Sequence, residues 1–322
     1  MFKFFVALVM LGTFAVNPLM AQTYPSKPIR MVVTYAPGGI TDSLARAVAA
    51  KMSDSMGQQV IVDNRVGGSG NIGSAMVAKA APDGYTILFG ANGPQAANVS
   101  LFAKLPYDPV KDLTPVALVG ISGVVLVVAQ TAPYNNLQEL ISAAKAKPGT
   151  LTFGSSGAGG TPHLAGESLK TSAGLDMIHV PYKGDAPSVV DVIGGQVTMA
   201  FPGTGSAVAL VRGGKLKALA VSSSRRSEAL PSVPTFAETL PGFELVGWFG
   251  IFLPAGAPSE ILATLHREAL KAVNDPKIKE QFLKLGVDVP EPPLSPMQFK
   301  DFQLRDIARL GSVIQHAKVK LD

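Results

Sequence analysis

The sequence predicts an α/β protein of two lobes, each a mixed sheet flanked by helices, with two crossover strands between them. Apolar strand-like runs alternate with helix-like segments, which is the pattern of α/β layers. The chain beyond a short leader, about 300 residues, is too long for one compact core. Two long apolar runs, 118–129 and 244–253, bracket a middle segment of small-domain size. We therefore expect 22–124 and 245–322 to form lobe I, and 125–244 to form lobe II.

The first 21 residues have the layout of a secretory signal peptide. Lys3 precedes an apolar run from Phe4 to Val16, and small and turn-forming residues follow up to Ala21. The run is too short for a permanent membrane anchor. A buried N-terminal helix is the alternative, but we expect cleavage after Ala21 and a periplasmic protein. Since the chain has no cysteine, disulfides and lipid attachment at cysteine are excluded.

The composition indicates a globular chain and argues against several classes of function. Hydrophobic residues make up 47% and charged residues 16% of the sequence. Without Lys3, 27 basic and 23 acidic residues leave a net charge of +4 (27 − 23). The basic residues form no run with interleaved aromatics, so we expect no nucleic-acid partner. His179, His266 and His316 lack metal-ligand spacing, so we expect no metal and no cofactor.

The individual elements follow from local patterns. A strand is predicted at Ile29–Val33, and a helix opens at Thr41 or Asp42 and ends at Gly57, a suitable C-terminal cap. Further strands are predicted at 59–62, 85–90 and 151–153, and further helices at 71–80, 137–147, 188–193, 207–211, 259–274, 276–285 and 296–317.

The turn between the first strand and the first helix is a candidate anion site. Residues 34–46 pass from the strand through Pro37, Gly38 and Gly39 to the helix start. Such a turn leaves several backbone N–H groups without partners, and the helix dipole adds partial positive charge there. An ordinary strand–helix turn is the alternative. Repetition of the device later in the chain favours a site for a carboxylate.

Three further donor-rich helix starts lie in the predicted lobe II. In residues 153–163 we expect Thr161 as the N-cap and Pro162 as the first helical residue. The other two starts are residues 183–187 and 202–206. In a doubly wound sheet such turns gather at the carboxyl ends of the strands, where ligands bind. At least one of the four turns is expected to be only a tight turn.

A series of short motifs runs through nearly the whole chain: Tyr24–Ile29, Pro37–Gly39, Asp42–Arg46, Val62–Arg65, Ala81–Thr86, Ser155–Gly157, His163–Glu167, His179–Gly184, Gly194–Val197, Ala218–Val221, Pro231–Thr235 and Pro241–Glu244. In this ordered series the sequence resembles the Bug family, the extracytoplasmic solute receptors of tripartite tricarboxylate transporters. The resemblance implies a type II periplasmic binding protein with the Venus-flytrap fold. It also implies a small carboxylate ligand and a membrane permease as partner. We expect a monomer.

The resemblance further implies which residues bind the ligand. One ligand carboxylate is expected to be held by backbone N–H groups, hydroxyls and ordered waters of two loops. Together with residues of the other donor-rich turns, the candidate binding residues are Tyr35, Gly38, Gly39, Ile40, Thr41, Asp42, Ser155, Ser156, Gly157, Thr161, His163, Lys183 and Thr204.

Four of these candidates have structural alternatives to a role in ligand binding. Asp42 lies in a first helical turn, where a carboxylate stabilises the helix end, and this role is favoured over ligand contact. Tyr35 forms a wall of the cleft or is a half-buried residue at a strand end. His163 touches the ligand or packs against its turn. Lys183 reaches a distal carboxylate or is simply solvated, and the second reading is favoured.

One departure from the family pattern bears on the ligand. Where many relatives have an acidic residue after a phenylalanine, this chain has Phe201-Pro202. In relatives that acid can meet an amino group. Its absence favours a carboxylate without an amino group.

A secreted α/β enzyme acting on a small carboxylic acid or ester is the alternative function. Residues 68–73 match the dinucleotide fingerprint G-x-G-x-x-G, but Asp63, Asn64 and Arg65 intervene after the preceding strand and no acidic residue follows ~20 positions later. No G-x-S-x-G motif is present. Ser155 or Ser156 with His163 is the remaining candidate pair. We expect a receptor and no enzyme.

Overall fold

The computed structural model describes residues 24–157, 159–317 and 319–320, so the predicted signal peptide lies outside the described residues. The strands are β1 Ile29–Val33, β2 Val60–Asn64, β3 Thr86–Ala91, β4 Leu113–Gly123, β5 Val125–Ala129, β6 Leu151–Ser155, β7 Met177–Pro181, β8 Met199–Ala200, β9 Leu216–Val221 and β10 Val246–Pro254. The helices are α1 Ile40–Met56, α2 Asn71–Ala78, α3 Asn98–Leu101, α4 Leu137–Ala146, α5 Thr161–Ala173, α6 Asp185–Ile193, α7 Thr204–Arg212, α8 Ser259–Val273, α9 Pro276–Lys284 and α10 Pro296–Ala317.

The strands of the described residues form two five-stranded sheets, one at the centre of each lobe. The first has the order β2-β1-β3-β10-β4, in which β1 is parallel to β2 and β3, and β10 is antiparallel to β3 and β4. The second has the order β7-β6-β8-β5-β9, in which β6 is parallel to β7 and β8, and β5 is antiparallel to β8 and β9. The predicted fold class, two lobes with mixed sheets and flanking helices, is confirmed.

The two predicted crossovers meet at Ser222. The first apolar run divides at Val124, with β4 in the first sheet and β5 in the second. The Val124 N–H donates to the Ser222 hydroxyl at 2.9 Å, and that hydroxyl donates to the Leu245 carbonyl at 2.5 Å. The second crossover is therefore hydrogen-bonded to the first just before β10 begins. The lobe boundaries at 124/125 and 244/245 stay a prediction.

The first helix shows how local sequence produces the predicted elements. Leu44, Val48 and Met52 recur every fourth residue on α1 and are fully buried. The helix ends as predicted at Gly57, which has the left-handed φ of +66° that a residue with a Cβ adopts rarely. The start differs slightly: α1 begins at Ile40 with Gly39 as its N-cap.

Three helices of lobe II also begin earlier than predicted. The N-cap of α5 is Gly160, whose extended backbone and carbonyl start the helix, so Thr161 is its first residue and the prediction of Thr161 as the N-cap was wrong. Helices α6 and α7 begin at Asp185 and Thr204. Proline is tolerated within a first helical turn, so Pro187 does not mark the start of α6.

Aromatic packing joins β10 to the C-terminal helix. Trp248 and Phe252 on β10 and Phe299 on α10 are fully buried and contact one another.

Within the part of the chain that the structure describes, no helix is both long and apolar enough to cross a membrane.

Candidate functional site

A cavity of about 440 Å³ lies where the two lobes meet, a size that suits a small ligand. Both lobes contribute to its walls. The lining residues are Ile40, Asn92, Ser122, Gly123, Val124, Ser156, Thr161, Pro162, Asp185, Gly203, Gly205, Ser206, Gly247, Phe249, Lys284 and Leu285.

The first two predicted glycine turns open onto this same cavity. Ile40 begins α1 in lobe I, and Ser156 and Thr161 lie at the start of α5 in lobe II. The first N–H groups of each helix have no partner within the helix and carry the positive end of its dipole. At the edge of the cavity, the Asn92 amide donates a long hydrogen bond of 3.5 Å to Thr161 Oγ1, which links the two lobes. The site therefore presents donors from two opposing helix starts.

The buried Asp42 side chain stabilises the first glycine turn, residues 34–46, through hydrogen bonds. Its carboxylate is 3% exposed and accepts hydrogen bonds of 2.9 Å from the Gly38 N–H, the Arg46 guanidinium and the Asn64 amide. Burial alone would raise the pKa of Asp42, but these hydrogen bonds outweigh it and lower the pKa to about 2. Because Gly38 already donates to Asp42, the backbone donors left for a ligand in this turn are those of Gly39, Ile40 and Thr41.

Two histidines form hydrogen bonds to the second glycine turn, residues 153–163. Ser155 is 1% exposed, and its hydroxyl lies 2.7 Å from His179 Nε2. His163 Nδ1 accepts the Gly159 N–H at 3.0 Å, which leaves the ring proton on Nε2. Ser155 and His163 thus support the turn, whereas Ser156 and Thr161 line the cavity.

The two imidazoles stack directly on each other, with ring centroids 3.9 Å apart. Burial, followed by the nearby Lys170 ammonium, lowers the pKa of His163 to about 4. Burial also lowers the pKa of His179 to about 4, together with His163 and Lys170, while Glu167 opposes the shift. Both rings are therefore neutral at pH 7, as their close stacking requires.

Acidification is expected to destabilise lobe II between pH 6.5 and pH 4. An unfolded histidine has a pKa of about 6.5, so in this range the unfolded chain binds more protons than the folded chain. The free energy of unfolding therefore falls as the pH falls, by up to about 1.4 kcal/mol per pH unit for buried His163 and by less for half-buried His179. Urea unfolding at pH 7.5, 6.0 and 5.0 measures this slope. His163→Gln should flatten it, whereas His316→Gln, at an exposed position, should not. An unchanged slope in His163→Gln contradicts the assignment.

Other predicted residues lie outside the lining of the cavity. The Thr204 hydroxyl donates to the Gly123 carbonyl at 2.9 Å and so joins α7 to the end of β4. Tyr35 packs half-buried against the lobe I core, and burial raises its pKa to about 12. Lys183 is exposed. Gly157 has a φ of +136° and permits the tight second turn.

Several lining residues were missed in the sequence. Asn92 directly follows the apolar strand β3. A polar residue at the carboxyl end of a central strand indicates a ligand site, so this position could have been predicted from the sequence. Asp185 and Ser206 lay in donor-rich turns that the sequence did identify. Lys284 ends α9, and no local pattern marked it, since only the packing of distant segments brings it to the cavity.

Two of the glycines and one of the serines that suggested an enzyme have structural roles in the described residues. A Cβ on Gly70 would lie 2.9 Å from Pro94 Cγ, and one on Gly73 would lie 2.8 Å from the Arg65 carbonyl oxygen, so close packing explains these two glycines. Ser155 pairs with His179, but this serine is buried and does not line the cavity. No cluster of three or more metal-ligating side chains occurs within the described residues.

Comparison with known proteins identifies the family. A family model for the tripartite tricarboxylate transporter family receptor matches residues 44–319. The chain belongs to this family. Protein BugT of Bordetella pertussis (strain Tohama I) is 38% identical over 309 residues, which cover 94% of this chain and 93% of BugT. The resemblance to the Bug family is thereby confirmed, and the chain is a member of a family of solute receptors.

Solved structures agree with this assignment. R. palustris Rpa4515 with adipate is 33% identical with a TM-score of 0.76, and the match covers 92% of this chain and 99% of that one. MatC from Rhodopseudomonas palustris with bound malate is 33% identical with a TM-score of 0.72, covering 90% of this chain and 100% of MatC.

Proposed function

We propose that this receptor captures a small carboxylate in the cavity between its lobes for uptake across a membrane. The observation that carries the proposal is the convergence of the α1 and α5 helix starts on one cavity. Unpaired N–H groups and the dipoles of both helices favour a negative charge at that point. The carboxylate contacts both lobes and so favours the arrangement in which they lie close together.

Relatives support this ligand class. Rpa4515 binds adipate and MatC binds malate, and both ligands are small carboxylates. The signal-like residues 1–21 favour export, and a solved relative, 36% identical, is a periplasmic transporter. We therefore place the receptor in the periplasm. We propose that it is a monomer and delivers its ligand to a permease of the tripartite tricarboxylate transporter class. It would bind the ligand without catalysing a reaction.

The experiment is a thermal-shift screen of ligand-stripped protein against mono-, di- and tricarboxylates, acidic amino acids and aromatic acids. A ligand present at about 100 times its Kd adds about 2.7 kcal/mol to the free energy of unfolding. Each compound that raises Tm is then incubated with the protein and analysed for products. No shift with any carboxylate overturns the proposal, and turnover of a bound compound favours the enzyme instead.

Ile40→Pro is expected to weaken carboxylate binding about 10- to 100-fold. Ile40 is the first residue of α1, a position where proline is well tolerated, and Gly39 before it has the extended backbone that precedes proline readily. The substitution removes one N–H group at the cavity while leaving the helix intact. A hydrogen bond to a charged group contributes about 1.5–3 kcal/mol. Isothermal titration with a carboxylate from the screen measures the loss.

Ile40→Ala is the matched control because it shortens the same side chain and keeps the N–H group. We expect its affinity to stay within about threefold of wild type, since Ile40 is already 38% exposed. Equal losses in the two variants would assign the effect to the side chain rather than to the backbone donor.

A further inference from the structure

Asp185 brings a negative charge into the cavity proposed to hold a carboxylate. It is the first residue of α6, and among the described residues that line the cavity it is the only acidic one. The basic lining residue, Lys284, has its ammonium 2.8 Å from Glu280 on its own helix, and its side chain is 73% exposed. Thus the lining contains no basic group bonded to Asp185.

The Asp185 carboxylate already occupies two donors at the start of α7. Its Oδ2 accepts the Gly203 N–H at 3.0 Å and the Ser206 hydroxyl at 3.1 Å. Neither of these two groups is free to bind a second ligand carboxylate. Asp185 therefore takes the place of an anion there, and its Oδ1 has no hydrogen-bond partner in the part of the chain that the structure describes.

The cavity lining thus contains two chemically different kinds of group. The starts of α1 and α5 offer backbone donors through Ile40 and Thr161, whereas Asp185 offers an acceptor with a negative charge. A ligand with one carboxylate satisfies the backbone donors. Beside Asp185 a second carboxylate meets a like charge, whereas a hydroxyl or ammonium group finds an acceptor.

We propose that Asp185 makes this receptor selective for small monocarboxylates whose far end donates a hydrogen bond, over the dicarboxylates of the same length. This inference rests on the proposed carboxylate site. The inference differs from the expectation drawn from Phe201-Pro202, which was a carboxylate without an amino group. The acidic residue that is absent after Phe201 has a counterpart in Asp185, which lines the cavity from the start of α6.

The test uses ligand-stripped protein and matched compounds of four, five and six carbons. At each length the Kd is measured by titration calorimetry for the dicarboxylate, the ω-hydroxy acid and the ω-amino acid. For wild type we expect the hydroxy or amino acid to bind at least about tenfold more tightly than the dicarboxylate. Asp185→Asn keeps an oxygen acceptor for the Gly203 N–H and removes the charge, so it should reduce this preference to about threefold or less.

Two further variants complete the design. Asp185→Ala frees the Gly203 N–H and the Ser206 hydroxyl, so the dicarboxylate should gain affinity relative to wild type. Asp176→Asn removes the same charge at an exposed position beyond the far end of α5 and should leave the preference unchanged.

The outcomes separate the two proposals. Dicarboxylate binding that equals that of its matched partners in wild type, or a preference that survives in Asp185→Asn, overturns the role of Asp185 and leaves the receptor standing. If no carboxylate of this panel or of the wider screen binds wild type or any variant, the proposed function fails and this inference fails with it.

Discussion

Gly205→Ala is expected to lower the affinity for a carboxylate about 100-fold while leaving each lobe folded. Gly205 lies in α7 of lobe II, and a Cβ there would come within 2.4 Å of the Leu285 carbonyl oxygen in lobe I. Conversely, a Cβ on Gly286 would lie 2.1 Å from the Gly205 nitrogen. These two glycines therefore let the backbones of the two lobes approach beside the cavity.

The expected size follows from the contacts that the ligand would lose. A methyl group at this point holds the lobes apart, so a ligand bound to one lobe no longer reaches the donors of the other. Loss of two hydrogen bonds to a charged group costs about 3 kcal/mol, which is a factor of about 100 in Kd. Alanine itself favours the helical backbone of α7, so the lobe should not be destabilised.

Two measurements test this expectation. Titration calorimetry gives the Kd for a carboxylate from the screen, and small-angle X-ray scattering of the unliganded protein detects a larger radius of gyration in the variant. Gly194→Ala is the control, because Gly194 ends α6 with a right-handed backbone and a Cβ there meets only ordinary contacts. An affinity within about threefold of wild type would show that the glycine contact does not limit the approach of the lobes.

Trp248→Ala is expected to lower the free energy of unfolding by about 3–5 kcal/mol, the range for truncating a large buried aromatic side chain. Trp248 is fully buried on β10, and its ring packs edge-on against Phe299 at 5.5 Å and Phe302 at 6.0 Å. Its indole N–H donates to Asp306 Oδ2 at 2.7 Å. The substitution thus creates a cavity and leaves a buried carboxylate with one donor fewer.

Urea unfolding followed by far-UV circular dichroism measures this loss, because the substitution removes the only tryptophan of the chain. Trp248→Phe keeps most of the ring packing and removes only the indole donor, so we expect a cost of about 1–3 kcal/mol. A cost below about 1 kcal/mol for Trp248→Ala would mean that β10 and α10 are not held together by this cluster.

The elements that the sequence predicted well are those with strong local signals. Ile29–Val33 and the four-residue spacing of Leu44, Val48 and Met52 identified β1 and α1, and Gly57 marked the end of α1. The helix starts were less accurate, because a glycine N-cap such as Gly160 uses its backbone rather than a side chain and leaves no distinctive residue type.

The ligand-binding role of the two glycine turns stays a prediction, and the structure shows that both turns open onto one cavity. The sequence did not predict the internal hydrogen bonds of these turns. The acceptor for the Gly38 N–H is Asp42, held in place by Asn64 from β2, and the acceptor for the Thr204 hydroxyl is Gly123 from β4. Asp42 is local to Gly38, but Asn64 and Gly123 are distant in sequence from the groups that they bind, and their distances depend on how the elements pack.

The sequence by itself determined the α/β class and the positions of the glycine-rich turns, because apolar spacing and glycine or proline placement act over a few residues. The family was indicated by the resemblance of an ordered series of short motifs along the chain. The tertiary structure alone decided which donors remain free, that Asp185 enters the cavity, and that Gly205 meets Gly286 across the lobes. These features depend on distances between segments far apart in the chain, which only the packed lobes define.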